Sequence, residues 1–142
     1  METIKQRIKE HEGYRNTVYS DSLGKSTIGY GHLLLATDNF VEGVEYNKKE
    51  LDDLFDKDFD TACETANKVI REIPLNHIAK GVIIEMCFQL GGPRILKFKK
   101  MWLALIEQDF DEAADEMIDS VWHKQTKSRC ESLAAVMRSC NK

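Results

Sequence analysis

The sequence contains little proline and glycine and has no long apolar segment. Two prolines and eight glycines among 142 residues exclude a collagen-like, a proline-rich or a disordered chain. The longest apolar stretches, such as residues 101–106, are far shorter than the roughly 20 residues that cross a bilayer as a helix. Hydrophobic residues, 42% of the total, suffice for the core of one domain. We therefore expect a single domain without stable membrane insertion.

An excess of basic residues is also absent, because the formal net charge is −4 at pH 7. A dedicated nucleic-acid-binding domain usually carries a basic surface. The acidic residues are concentrated between residues 37 and 75, as expected for a solvated acidic helix face. We therefore expect no nucleic-acid partner.

Cysteine and histidine occur without the spacing of a metal or redox motif. The four cysteines include no C-x-x-C pair, and the four histidines show no ligand spacing. If Cys130 and Cys140 share a helix, they lie about 15 Å apart, too far for a disulfide. We predict four free thiols, a reducing compartment of synthesis, and neither a metal nor another cofactor. The charged amino-terminal residues lack the apolar stretch of a signal peptide, so we expect synthesis in a cytoplasm.

The only convincing strand signal lies near the amino terminus. Residues 2–12 have the pattern of a short helix, which Gly13 ends. Residues 14–35 then combine β-branched and aromatic residues with turn residues, and this favours a hairpin or small meander.

A long amphipathic helix is predicted to follow. Asn47 and Glu50 have the spacing of a capping box, apolar residues then recur at intervals of three and four, and Pro74 closes the pattern. The pattern after Pro74 predicts helices throughout, with Asn76, Asp109 and Ser128 as the predicted caps at helix starts. The sequence thus predicts an α+β fold with a small β lobe and a larger helical lobe.

Three residues near the strand signal have the chemistry of general acid and base catalysis. Glu12 ends the first predicted helix, Asp21 lies in a turn and Thr27 begins a strand, so all three side chains can face one cleft. A protonated carboxyl can protonate a leaving group while an ionised carboxylate and a hydroxyl steer water. By spacing alone, two acidic residues within ten positions are usually solvated surface groups.

The ordered residues around these three resemble the phage-type lysozyme (endolysin) family. The first matching string is Glu12-Gly13, Tyr19, Asp21, Gly24 and Thr27-Ile28-Gly29-x-Gly31-His32-Leu33-Leu34. Later matches are Leu54-Phe55, Asp58, Asp60, Phe88-Gln89-x-Gly91, Asp111-Glu112-Ala113-Ala114, Trp122-x-x-Gln125-Thr126 and Arg129. The resemblance covers nearly the whole chain and implies a two-lobe, lysozyme-like α+β fold. It places the β lobe at about residues 13–46, the connecting helix at about 47–73, and the helical lobe at 1–12 plus 74–142.

The resemblance also implies the reaction. It makes Glu12 the general acid that protonates the glycosidic oxygen between N-acetylmuramic acid and N-acetylglucosamine. It makes Asp21 the base or electrostatic partner of the attacking water, and it makes Thr27 the residue that holds this water. The family is regarded as inverting, which takes carboxyl groups about 6.5–9.5 Å apart.

Five further positions match the family pattern outside the three catalytic candidates. The resemblance places Leu33 and Phe88 along the saccharide cleft, although a Phe in so apolar a helix equally fits plain core. His32 is either a second base or an ion-pair partner of Asp58, and we favour the ion pair because a protonated, paired imidazole accepts no proton. Gln125 and Arg129 match positions at the cleft rim, where we expect surface roles.

The implied function is an endolysin that hydrolyses peptidoglycan and lyses a host bacterium. Such an enzyme is expected to be a monomer made in the host cytoplasm, and to reach the wall through a lesion made by a separate membrane protein. The alternatives are a lytic transglycosylase on the same bond and a non-catalytic wall-binding module. Use as an enzyme of the virion also stays open.

Overall fold

The computed structural model describes residues 2–20, 24–35 and 38–141 of the chain. Eight α-helices, three strands and a short 3-10 helix are present in these residues. In chain order they are α1 (Glu2–Glu12), β1 (Arg15–Ser20), β2 (Ser26–Gly29), β3 (His32–Leu33), α2 (Lys48–Ile70), α3 (His77–Leu90), α4 (Gly92–Ile95), α5 (Lys99–Ile106), α6 (Phe110–Ile118), α7 (Val121–Gln125), α8 (Lys127–Arg138) and the 3-10 turn Ser139–Asn141. The predicted α+β class is confirmed, since one small sheet accompanies many helices.

The chain forms two compact units, Met1–Thr61 and Ala62–Lys142. The first unit contains α1, the three strands and most of α2. The second contains the end of α2 and all later helices. The lobe boundaries expected from the sequence, which group residues 1–12 with the later helices, stay a prediction.

The sheet of the first unit is an antiparallel meander in the order β1-β2-β3, as the strand signal predicts. Tyr19 of β1 lies opposite Thr27 of β2, and Thr27 in turn lies opposite Leu33 of β3. Ile28 lies opposite His32 and is fully buried, so the sheet contributes its central residue to the core. The register therefore places Thr27 beside Leu33 and Ile28 beside His32.

Aromatic rings connect the segments that follow α1 and β2 to helix α2 inside the first unit. The Tyr30 ring lies 5.0 Å from that of Tyr14 and 5.3 Å from that of Phe55, measured between centroids. The Lys9 ammonium of α1 lies 5.0 Å from the Tyr30 centroid and 4.9 Å from the Phe55 centroid. Because cations are attracted to aromatic faces, this lysine holds the end of α1 against α2 and the turn between β2 and β3.

Helix α2 begins as predicted and ends earlier. The Asn47 side chain accepts a hydrogen bond of 2.8 Å from the backbone N–H of Glu50, which is an N-cap. The expected end at residue 73 is wrong, because the helix stops at Ile70. Arg71 has a φ of 53°, a left-handed conformation that ends the helical hydrogen bonding three residues before Pro74.

The second unit is built around α3, most of whose residues are buried. The predicted caps at Asn76 and Asp109 are confirmed, since their side chains accept from the N–H groups of Ala79 and Glu112 at 2.8 and 3.0 Å. The predicted start at Ser128 is wrong. The N–H of Cys130 donates to the carbonyl of Thr126, so the N-cap is Thr126, two residues before Ser128, and α8 begins at Lys127.

All four cysteines are free thiols, as predicted. Burial raises the pKa of Cys87 and of Cys130 to about 12, so both stay protonated at neutral pH. Among the described residues, none of the helices combines the length and apolar character that a membrane span requires.

Candidate active site

Glu12 is the last residue of α1, and its carboxyl group lies against the backbone of Gly31. Gly13, at a φ of 73°, ends the helix directly after it. Gly31 also has a left-handed conformation, with a φ of 76°. A Cβ atom at position 31 would collide with the carboxyl oxygen and carbon of Glu12. Glycine at position 31 therefore provides the space that the half-buried Glu12 carboxyl occupies, at the turn between β2 and β3.

Thr27 lies in β2, within the same unit, and only 2% of it is exposed. Its hydroxyl donates a hydrogen bond of 2.9 Å to the backbone carbonyl of Lys25. Because this bond uses the hydroxyl proton, the Thr27 oxygen is left as an acceptor for any further partner. A water molecule at this oxygen would have to donate to it.

The predicted base Asp21 lies outside the described residues. Its role and its distance from Glu12 therefore stay predictions.

His32 of β3 contacts two carboxylates. Its Nδ1 atom lies 2.7 Å from Oδ2 of Asp58 in α2, and its Nε2 atom lies 3.0 Å from Oδ2 of Asp38. Ionised carboxylates only accept hydrogen bonds, so an imidazole bonded to both must carry a proton on each nitrogen. The hydrogen bond to Asp58 is the largest cause that raises the pKa of His32, and Asp38 adds to it against the effect of burial. The structure thus brings His32 and Asp58 together, as the ion-pair interpretation requires.

Asp38 is a member of this cluster that sequence reasoning missed. Its carboxylate also accepts the backbone N–H of Leu35 at 2.6 Å, and this bond is the main cause that lowers the Asp38 pKa. The spacing of six residues from His32 was a weak signal, since acidic residues are frequent in this part of the chain. Asp38 is held next to Leu35 by hydrogen bonds in both directions, and this contact brings its side chain to His32.

The two residues expected along the saccharide cleft lie in different units. Leu33 is 44% exposed on β3, directly opposite Thr27. Phe88 is half-buried on α3 and is not fully enclosed core. Each therefore has surface that a ligand can contact.

Gln89, the residue after Phe88 in α3, is the centre of a hydrogen-bond network in the second unit. Gln89 accepts from the Trp122 indole N–H at 2.9 Å and donates to the Thr126 hydroxyl at 3.2 Å. Since one side-chain amide satisfies both partners, it holds α3, α7 and the start of α8 in one arrangement.

The expectation of a surface role for Arg129 is wrong. Arg129 is 9% exposed, and its Nε atom donates at 3.1 Å to Oε2 of Glu85, which is fully buried on α3. A buried charge is tolerated when it is paired, so these two residues form a structural ion pair between α3 and α8. Sequence reasoning missed Glu85, although a single acidic residue inside an apolar helix was a usable signal.

The part of the chain that the structure describes contains no group of three or more His, Cys, Asp or Glu residues that could hold a metal ion. The expectation that the enzyme needs no cofactor stays a prediction.

Comparison with known proteins agrees with the resemblance of the motifs. A sequence model of the phage lysozyme family matches residues 9–139. The chain is 31% identical to "Probable T4-type lysozyme 1" of Dictyostelium discoideum, over 96% of this chain and 94% of that relative. It is 27% identical to "Endolysin" of Salmonella phage P22, over 85% of this chain and 81% of the relative. It is also 25% identical to "Pre-baseplate central spike protein Gp5" of Enterobacteria phage T4, over 98% of this chain and 28% of the relative.

The family match covers Glu12, Thr27, the His32 cluster and the network of α3 and α8 alike. The chain therefore belongs to the phage lysozyme family, and it is a lysozyme, a glycoside hydrolase of peptidoglycan.

Proposed function

We propose that this lysozyme is a muramidase, which hydrolyses the β-1,4 bond between N-acetylmuramic acid and N-acetylglucosamine. The observation that carries the proposal is the position of Glu12. Its carboxyl lies at a helix end against the backbone of Gly31, in the same compact unit as Thr27. A carboxyl group confined in this way can donate a proton to a glycosidic oxygen in a defined direction.

Glu12 acts as the general acid in this proposal. It protonates the leaving oxygen as the glycosidic bond breaks, and the sugar ring gains the character of an oxocarbenium ion. Asp21 acts as the base or electrostatic partner of the attacking water on the opposite face of the ring. The reaction inverts the anomeric carbon, which requires room for a water molecule between the two carboxyl groups, at about 6.5–9.5 Å.

Thr27 positions the attacking water. Its hydroxyl proton is engaged by the carbonyl of Lys25, so the water donates one proton to the Thr27 oxygen. A water held in this way keeps a lone pair for attack on the anomeric carbon. The near-complete burial of Thr27 restricts the water to few orientations.

Leu33 and Phe88 bind the saccharide through their exposed apolar surface, since sugar rings present C–H faces to such side chains. The His32–Asp58 pair has a structural role. Both ring nitrogens of His32 face carboxylates, so the protonated imidazole has no free site with which to accept a proton.

The biological role that we propose is lysis of an infected host bacterium. The similarity to a relative named an endolysin, over 85% of this chain, supports it. In this role the enzyme is a monomer made in the host cytoplasm, and a separate membrane-lesion protein gives it access to the wall.

Digestion of purified peptidoglycan, with the products identified by mass, tests the proposed reaction. Products with reducing N-acetylmuramic acid ends are expected. Products with 1,6-anhydro ends would identify a lytic transglycosylase, and an absence of cleavage would leave a wall-binding module. The anomer released first, read by NMR, distinguishes inversion from retention.

A further inference from the structure

One segment of the second unit carries charge and apolar surface that the proposed reaction does not use. Residues 94–106 contain four basic residues and no acidic one, in a chain whose net charge is −4. The exposed members of the segment are Leu96, Lys97, Lys99, Lys100, Leu103 and Ile106, which we name the basic apolar surface. None of the proposed catalytic residues belongs to it.

The apolar members of this surface are unusually exposed for their size. Leu96 is 53%, Leu103 62% and Ile106 57% exposed. Around a helix of 3.6 residues per turn, Lys99, Leu103 and Ile106 fall within about 60° of one another, so α5 presents them on one face. Contiguous exposed apolar side chains with a polar rim mark interaction sites, whereas single ones are ordinary.

The lysines of this surface are placed for a ligand rather than for the stability of the helix. Lys99 and Lys100 are the first two residues of α5, where the helix dipole disfavours positive charge, and the first turn of α5 has neither an acidic residue nor a side-chain cap. Among the described residues, none forms an ion pair with Lys97, Lys99 or Lys100. Positive charge that is unpaired and locally unfavourable is free to attract an anion.

Two surface cavities adjoin the basic apolar surface, and Lys100 lines both of them. The larger, of about 580 Å³, is lined by Lys97, Lys99, Lys100 and Arg94 around an apolar floor that includes Phe98. The smaller, of about 300 Å³, brings Lys100 together with Leu103. Acidic residues also line both cavities. They are Glu116 and Asp119 at the larger one, and Glu107, Asp109, Glu112 and Glu116 at the smaller, so the positive charge is concentrated at the larger cavity.

We propose that the basic apolar surface binds the surface of an anionic phospholipid bilayer. The lysines require negative headgroups, and Leu96, Leu103 and Ile106 require an apolar phase into which they can insert. In a lipid bilayer, negative headgroups and an apolar interior lie within one Debye length of each other. A polymer that carries carboxylates offers the negative charge without an apolar phase. The association is peripheral and reversible, because three side chains are far fewer than a spanning segment requires.

Co-sedimentation with lipid vesicles tests the proposal. The whole protein is expected to bind vesicles of phosphatidylcholine mixed with phosphatidylglycerol, and not vesicles of phosphatidylcholine alone. The variant Lys97→Gln/Lys99→Gln/Lys100→Gln is expected to lose binding by a factor on the order of 100. Its control is Lys68→Gln/Lys124→Gln/Lys127→Gln, which makes the same change in net charge at exposed lysines elsewhere in the second unit.

A second pair of variants tests the apolar half of the surface. Leu103→Ser/Ile106→Ser is expected to weaken vesicle binding at least about 10-fold, since each side chain that leaves the lipid loses its transfer free energy. The control Val44→Ser/Ile78→Ser changes side chains that are 43% and 40% exposed outside the surface, and it should bind as the parent does. All four variants should digest lipid-free peptidoglycan at the parent rate, which verifies their folding.

Three outcomes would overturn the proposal. Equal binding to neutral and anionic vesicles, or binding to neither, removes the anionic bilayer as the partner. An equal loss in the two lysine variants reduces the effect to net charge. If only the lysine variant of this surface loses binding, the partner is an anion without an apolar phase.

Discussion

The Nδ1 atom of His32 lies 2.7 Å from Oδ2 of Asp58, and this hydrogen bond joins β3 directly to α2. The opposite side of the same ring is bonded to Asp38. A single imidazolium therefore connects a strand, a helix and the segment that follows the sheet. Since β3 pairs with the part of β2 that carries Thr27, the ring also stabilises the strand on which the proposed water site depends.

The cluster makes stability depend on pH in two directions. The folded-state pKa of His32 is raised, so its contribution is complete below the unfolded value of about 6.5 and is lost as pH rises through the folded pKa. The pKa of Asp38, which also faces Lys57, is lowered, so its contribution is complete above about 3.8 and is lost as pH falls through the folded pKa. Urea unfolding across this range should show greatest stability between about pH 4 and about pH 6.5.

Replacement of the imidazole should remove this dependence. The variant His32→Asn is expected to cost about 2 kcal/mol at pH 6, the usual contribution of hydrogen bonds to charged groups, and to flatten the alkaline side of the profile. It should lower the melting temperature more than it lowers turnover. A greater loss of turnover than of stability would make His32 a catalytic residue.

Removal of the proposed acid should abolish activity without unfolding the protein. Glu12→Gln keeps the shape of the side chain but cannot donate a proton, so we expect turnover on peptidoglycan to fall by about 10²–10⁴-fold. Glu10→Gln, an exposed position on the same helix, is the matched control and should retain activity. Substantial hydrolysis by the Glu12 variant, measured at equal folded fraction, would reject Glu12 as the acid.

The space at Gly31 should be essential for the position of Glu12. Gly31→Ala forces a Cβ atom into the Glu12 carboxyl and adds strain at a φ of 76°. Gly43→Ala provides the control, since Gly43 has a φ of 82° with no neighbour within 4 Å of an added Cβ. Both variants should lose about 1–2 kcal/mol of stability from backbone strain, but only the first should also lose turnover. Equal turnover in the two variants would show that Gly31 does not determine the position of the Glu12 carboxyl in the active site.

The buried ion pair of the second unit should be costly to break. Glu85→Gln leaves the Arg129 charge without its carboxylate inside α3 and α8, and we expect a loss of about 3 kcal/mol in the free energy of unfolding. The control Glu131→Gln removes the exposed partner of His123 and should change stability little. The comparison is made by denaturant unfolding at neutral pH. If both variants lose a similarly small part of the free energy of unfolding, the buried pair contributes no more to stability than the exposed one.

Much of the local structure was readable from the sequence. Asn47, Asn76 and Asp109 were predicted as caps because a cap bonds a backbone N–H only three residues away, so it depends on the nearest turn of chain alone. The end of α2 was not readable from the sequence, because the backbone turns at Arg71, three residues before Pro74. The start of α8 was misplaced for a related reason, since Thr126 is bonded back to Trp122 of the preceding helix.

The sequence by itself determined the α+β class, the free thiols and the family, since these follow from composition, periodicity and an ordered set of residues along the chain. Only the tertiary structure placed Asp38 beside His32, Gly31 against Glu12, and Glu85 beneath Arg129. Each of these contacts joins residues on different segments. Their distances are set by how turns, strands and helices pack into each unit, and no spacing along the chain encodes that packing.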